Sequence, residues 1–112
     1  MAKPDRQTLI HAFREAAAAA LAADPGEGQD GGTCNFDCPA IQLPGVPAKF
    51  VEQCAREAGI RAADFKWLGG KRWFWILLPT RGQANRRTIM AEAGCRKLKE
   101  FGLNAVMYMQ AD

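Results

Sequence analysis

Serine is absent from this 112-residue chain, and histidine occurs once, at His11. No serine or cysteine with a base at suggestive spacing accompanies that histidine, so triad-type nucleophilic catalysis is not expected. An acid–base pair of His11 with Asp37 stays open, because that chemistry requires only geometry. No apolar run approaches the roughly 20 residues that a membrane span needs. The N-terminus is basic only at Lys3 and Arg6 and has no signal-peptide core, so a cytoplasmic location is the expectation. A Gly-Lys-Ser/Thr phosphate loop is missing. Strong basicity is missing too: a net charge of +3 and a pI of about 8.8 permit an anionic partner but fall short of a duplex-DNA binder. Of the four cysteines, Cys34, Cys38, Cys54 and Cys95, a reducing compartment predicts free thiols. On a strand Cys34 and Cys38 stand about 13 Å apart. Cys54 and Cys95 sit on apolar helix stripes, so no metal site is expected. No cofactor is implied.

What is present fits one domain over residues 1–112, with hydrophobic content of 48% and charged content of 24%. Asp5 to Ala23 reads as a helix, with Leu9, Phe13, Ala16, Ala17, Ala20 and Leu21 at helical spacing. Its stripe is made of small side chains, which predicts a close approach to whatever it covers. A Gly-rich loop over 25–32 separates this helix (1–24) from a core over 33–112. There, Thr33 to Leu43 reads as a strand broken by Pro39, and Val46 to Ala58 as a helix stopped at Gly59. Asp64 to Leu68 and Lys71 to Leu78 form a hairpin around a two-residue Gly69-Gly70 turn. A long helix from Thr80 or Arg81 to Phe101 and a strand from Leu103 to Met109 complete the chain. Strand, helix, strand, strand, helix, strand is the α+β, ferredoxin-like βαββαβ pattern of an antiparallel sheet, here with an additional N-terminal helix.

The stretch from Lys71 to Arg87 carries the strongest functional signal. Trp73-Phe74-Trp75-Ile76-Leu77-Leu78 contains no polar residue, and alternation sends Trp73, Trp75 and Leu77 to one face. A two-layer fold leaves one sheet face bare, and a large exposed apolar patch calls for a cover. The N-terminal helix, a second subunit or a flat ligand are the three candidates. On the first strand, Cys34, Phe36 and Cys38 are expected to face the helices, which leaves Asn35 and Asp37 in mid-sheet on the bare side. Those polar groups then need a partner, either a ligand or an arginine. Thr80, Arg81, Gly82, Gln83, Asn85, Arg86 and Arg87 crowd a helix opening, where free N–H groups and the dipole attract anions. Thr80 would cap the helix, Gly82 would admit a ligand to the backbone, and Arg81 or Arg86 would fork onto a phosphate. Arg87 falls on the inward face of that helix.

Lys71-Arg72-Trp73-Phe74-Trp75-Ile76-Leu77-Leu78 resembles the third-strand signature of RNA-recognition-motif domains at its basic first position, its aromatic spacing and Ile76. It departs at Arg72, Phe74 and Leu78. Those domains share the βαββαβ order and stack bases on aromatics of the central strands, but RNA binding is not carried over from these eight residues. The GTCNFD and PTRGQANRRT blocks make the chain similar to small bacteriophage proteins. That likeness carries no assigned activity; interference with a host defence, for instance by sequestering a nucleotide signal, is a role that fits it. The expected function is non-catalytic binding of a nucleotide or single-stranded nucleic acid. Arg81, Gln83, Asn85, Arg86 and Arg87 would hold the phosphate, Asn35 and Asp37 would read polar groups, and Trp73 or Trp75 would stack. The alternative is a protein-interaction module that docks a host protein through the aromatic face. A small hydrolase or lyase stands third, and a homo-oligomer is expected in each case.

Overall fold

The computed structural model describes residues 3–29, 35–80 and 85–111, without the side chains of residues 29, 35, 36, 110 and 111. Helix α1 spans Arg6–Ala22. Asp5 caps it by accepting a hydrogen bond from the Thr8 N–H at 2.8 Å, and its run of alanines supplies the propensity. Strand β1 is Asn35–Gln42, α2 is Ala48–Glu57, β2 is Arg61–Trp67 and β3 is Lys71–Leu77. Helix α3 is described over Asn85–Glu100, and β4 is Asn104–Ala111. The expected first turn of α3, which carries Arg81, Gly82 and Gln83, lies outside the described residues.

Two local expectations are corrected. The β2–β3 hairpin pairs Trp67 with Lys71, so its loop has three residues, Leu68, Gly69 and Gly70, rather than two. All three have positive φ, at 40°, 81° and 77°. Two glycines take that conformation freely, and only Leu68 is held where side chains are disfavoured. Pro39 does not break β1 against β4, where Asn35↔Ala111 to Gln42↔Asn104 pair continuously. Its effect falls on the other side: β1 and β3 pair only at Ala40↔Trp75 and Ile41↔Phe74. A proline has no ladder donor, which suits a strand that parts from a neighbour.

The sheet has four strands in the order β2-β3-β1-β4, every neighbouring pair antiparallel. With its three α-helices this makes an α+β fold. Helix α3 packs on β1 and β4, α2 packs on β2, and α1 lies against α3 and α2. The N-terminal helix therefore does not cover the bare sheet face. It thickens the helical side, because its apolar residues Leu9, Phe13, Ala16 and Ala20 complete the core that holds Ile41, Phe74, Ile76, Met90 and Leu98. The close approach expected of an alanine stripe is present. A Cβ on Gly94 of α3 would stand 3.2 Å from the Ala16 carbonyl oxygen and 2.1 Å from Leu78 Cδ1. No helix among the described residues is long and apolar enough to cross a membrane.

The face assignment of β1 is also corrected. Asp37 lies on the helix side and is only 2% exposed. Cys38 takes the other face. The phase of the strand is set by Pro39, Ile41 and Leu43, which enter the core together, and Asp37 is in step with them. The reading from Cys34, Phe36 and Cys38 weighed only the first half of the strand.

Candidate functional site

Period-two alternation puts the odd residues of β2 and β3 and the even residues of β1 and β4 on the face without helices. Among the described side chains, five aromatic rings collect there from three strands: Phe65 and Trp67 of β2, Trp73 and Trp75 of β3, and Tyr108 of β4. Phe65 stacks on Trp75 with ring centres 4.2 Å apart and planes 14° off parallel. Trp67 meets Trp73 edge-on at 5.3 Å and Tyr108 at 5.2 Å. Between them the middle of β1 contributes two small residues, Cys38 and Ala40. Ala40 faces Trp75 and Cys38 faces Tyr108 in the ladders. Trp75 and Tyr108 can therefore reach over β1 to within 5.6 Å of each other. Ala40 is fully buried and Cys38 only 4% exposed although no helix covers them; the rings are the roof. Phe65, Trp67, Trp75 and Tyr108 stay half-buried, while Trp73 is buried with an indole N–H that has no hydrogen-bond partner among the described residues.

The charges on this face are one-sided. Arg61 and Lys71 stand at its two ends, both exposed. Asn104 donates to Gln42 at 3.1 Å along its margin. No aspartate or glutamate lies on it among the described residues. The carboxylates of these strands, Asp37 and Asp64, are in phase with the opposite face.

A second feature lies where β1 and β3 part. Beyond Ile76 the chain of β3 curls, with the Leu78 N–H donating to the Ile76 carbonyl at 3.1 Å. The split holds a cavity of about 70 Å³ lined by Asp37, Cys38, Pro39, Leu77, Leu78, Thr80, Arg87 and Ala91. Asp37 Oδ2 accepts a hydrogen bond from the Thr88 hydroxyl of α3. Asp37 Oδ1 and Arg87 Nε are buried and have no hydrogen-bond partner among the described residues.

The other predicted site residues scatter. Asn35 opens β1, and its side chain is outside the described residues, as are Arg81, Gly82 and Gln83. Asn85 is exposed at the start of α3. Arg86 is engaged by the protein itself: Nε and Nη2 donate to the two carboxylate oxygens of Asp24, at 2.7 and 3.0 Å. Trp73 and Trp75 are together, as are Asp37, Thr80 and Arg87, on opposite sides of the sheet.

Catalytic readings find little support. His11 meets Phe101 edge-on at 5.2 Å, at the far end of α3 from Thr88, the partner of Asp37. At 1.5 Å per residue those two positions on the helix are about 20 Å apart, so His11 and Asp37 do not form an acid–base pair. Cys38, Cys54 and Cys95 are free and buried. Burial pushes the Cys38 thiol from 9.0 up to about 12 and raises Cys54 and Cys95 as well, against the thiolate that a nucleophile or metal ligand requires. Cys34 lies outside the described residues. No group of three potential ligands stands ready for a metal among the described residues.

Sequence reasoning missed Phe65, Trp67 and Tyr108 as members of the aromatic face. The hairpin held the signal for two of them, because strands paired at Trp67↔Lys71 set Phe65 opposite Trp73. It also missed Asp24 as the partner of Arg86, which no local pattern announces. Compared with protein-family models, curated proteins and solved structures, the chain gives no match.

Proposed function

We propose that the chain binds a phosphate-bearing ligand with a flat base, a nucleotide or a single-stranded nucleic acid, and does not transform it. The observation that carries this reading is the roof of half-buried rings over Ala40 and Cys38, bordered by Arg61 and Lys71 with no carboxylate on that face among the described residues. Base–aromatic stacking is worth about 1–3 kcal/mol per base and tolerates any base, because every base has a π face. An acid-free surface with cations at both ends suits the phosphates that come with those bases. Among the residues expected to hold the anion, Arg86 is already neutralised by Asp24, and Arg87 shares its cavity with Asp37. Arg61 and Lys71 are better placed, at the two ends of the aromatic face. The finer topology belongs to the same proposal: strand order β2-β3-β1-β4 with the first and third core strands central supports a ferredoxin-like core.

The test is a titration of intrinsic tryptophan fluorescence with mononucleotides, cyclic nucleotides and oligonucleotides at two salt concentrations. Quenching that weakens as salt rises is the expected result. Trp75→Ala should lower the affinity by roughly 5- to 150-fold, the equivalent of one stacked base. A second reading draws on the same patch, which is apolar at its centre and polar at its rim: a protein partner or a second copy docks there. A panel without any quenching, together with a concentration-dependent dimer or a co-purifying protein whose binding Trp75→Ala abolishes, would replace the first reading by the second.

A further inference from the structure

The two edges of the sheet are unlike. β2 carries Arg61, Asp64 and Lys66, all exposed. Charges on an edge strand keep other strands away, because pairing would take them out of water. β4 has no such guard. Its eight residues, Asn104–Ala111, include no charged residue, no proline and no glycine. It pairs one-to-one with β1 along its whole length, so no bulge twists it aside. On its other side no strand stands among the described residues. Every second N–H and C=O of β4 therefore points away from β1, over about 27 Å at about 3.4 Å per residue. Met109 adds an apolar side chain that is 55% exposed. Such an edge is a template for another strand.

We propose that β4 is a dimerisation edge: two copies of the chain pair their β4 strands antiparallel, joining two four-stranded sheets into one. A second β4 matches the first in length and in lack of charge. Charge favours this edge over the other. Two copies with a net charge of +3 repel each other, and the exposed charged residues of the sheet, Arg61, Asp64, Lys66 and Lys71, all lie on β2 and β3. Joined at β4, β3 and its counterpart stand five strand spacings apart, about 24 Å or about three Debye lengths at physiological salt. A twofold pairing is isologous and keeps each face on its own side. Val106 and Tyr108 then meet their counterparts on the ring side, and Met107 and Met109 meet theirs on the helix side. The two aromatic faces become one continuous surface, and the pairing stands whether or not that surface binds nucleotides.

The test combines sedimentation velocity with amide hydrogen exchange by NMR on the full chain, from about 5 µM to about 500 µM, the range suited to a small interface. The expected result is a dimer that forms with concentration. In the monomer every second amide of β4 exchanges fast, and in the dimer those same amides should slow by about tenfold or more. Met109→Lys, a charge at an exposed position, should weaken the dimer by about tenfold or more and restore fast exchange. Trp75→Ala, on the ring face, should leave the dimer in place. A chain that stays monomeric throughout overturns the proposal. So does a dimer whose outward β4 amides keep exchanging fast, or one that Trp75→Ala dissolves and Met109→Lys does not. Should Met109→Lys fail to fold, the exchange pattern of the parent chain decides.

Discussion

Arg86 and Asp24 allow a direct decision between a ligand-gripping arginine and a structural one. The two groups form a fork, Nε to Oδ1 at 2.7 Å and Nη2 to Oδ2 at 3.0 Å. Their side chains retain only 13% and 18% of their exposure, so solvent screening is limited. Asp24 follows the C-terminal end of α1, where the helix dipole disfavours a negative charge, and Arg86 offsets that penalty. Exposed ion pairs contribute about 0–1 kcal/mol, whereas breaking a buried pair by removing one partner costs about 3–5 kcal/mol. This mostly buried fork sits between the two, at about 2–3 kcal/mol for Arg86→Ala. For a domain of this size about 1 kcal/mol moves the melting temperature by roughly 4 °C, so a fall of about 8–12 °C is expected. Calorimetry or circular dichroism on Arg86→Ala, Asp24→Ala and the double variant measures it. The double variant should be less destabilised than the sum of the singles by about 1.5–3 kcal/mol. Nucleotide-induced quenching should survive in Arg86→Ala. A variant that melts like the parent yet loses quenching would refute the reasoning and return Arg86 to the ligand.

Two further perturbations test the packing. Gly94→Ala gains about 1 kcal/mol of helix propensity but sets a methyl 3.2 Å from the backbone oxygen of Ala16 and 2.1 Å from Leu78 Cδ1. Leu78 can turn aside, but the α1 backbone cannot, so overpacking of about 1–3 kcal/mol should win and lower the melting temperature. A higher melting temperature would show that α1 and α3 are not in close contact. Cys38, whose thiol is raised from 9.0 to about 12, stays protonated in the fold at pH values where the unfolded chain has ionised it. The unfolded state then binds fewer protons, so this contribution to stability is complete below pH 9 and is lost progressively as pH rises from 9 towards 12. Equilibrium denaturation of the parent and Cys38→Ala across that range should show a steeper alkaline decline for the parent, and iodoacetamide should leave native Cys38 unmodified at pH 8.

Local chemistry made the elements legible. Asp5 before an alanine-rich stripe announces α1, and Trp73-Phe74-Trp75-Ile76 announces a strand, because capping and periodicity act within a few residues. The aromatic character of the bare sheet face followed from the same alternation, since either phase of β3 exposes large apolar groups. Tertiary structure decided what depends on distant partners. Alternation offers every strand two phases and does not choose between them. In β1 the core chose through Pro39, Ile41 and Leu43, and Asp37 went inside with them. Arg86 found Asp24 across 62 residues of chain, and α1 settled on the helices rather than on the open sheet because its apolar residues complete their core. Whether an arginine meets a ligand or the protein's own carboxylate is settled by long-range packing, which no window along the chain contains.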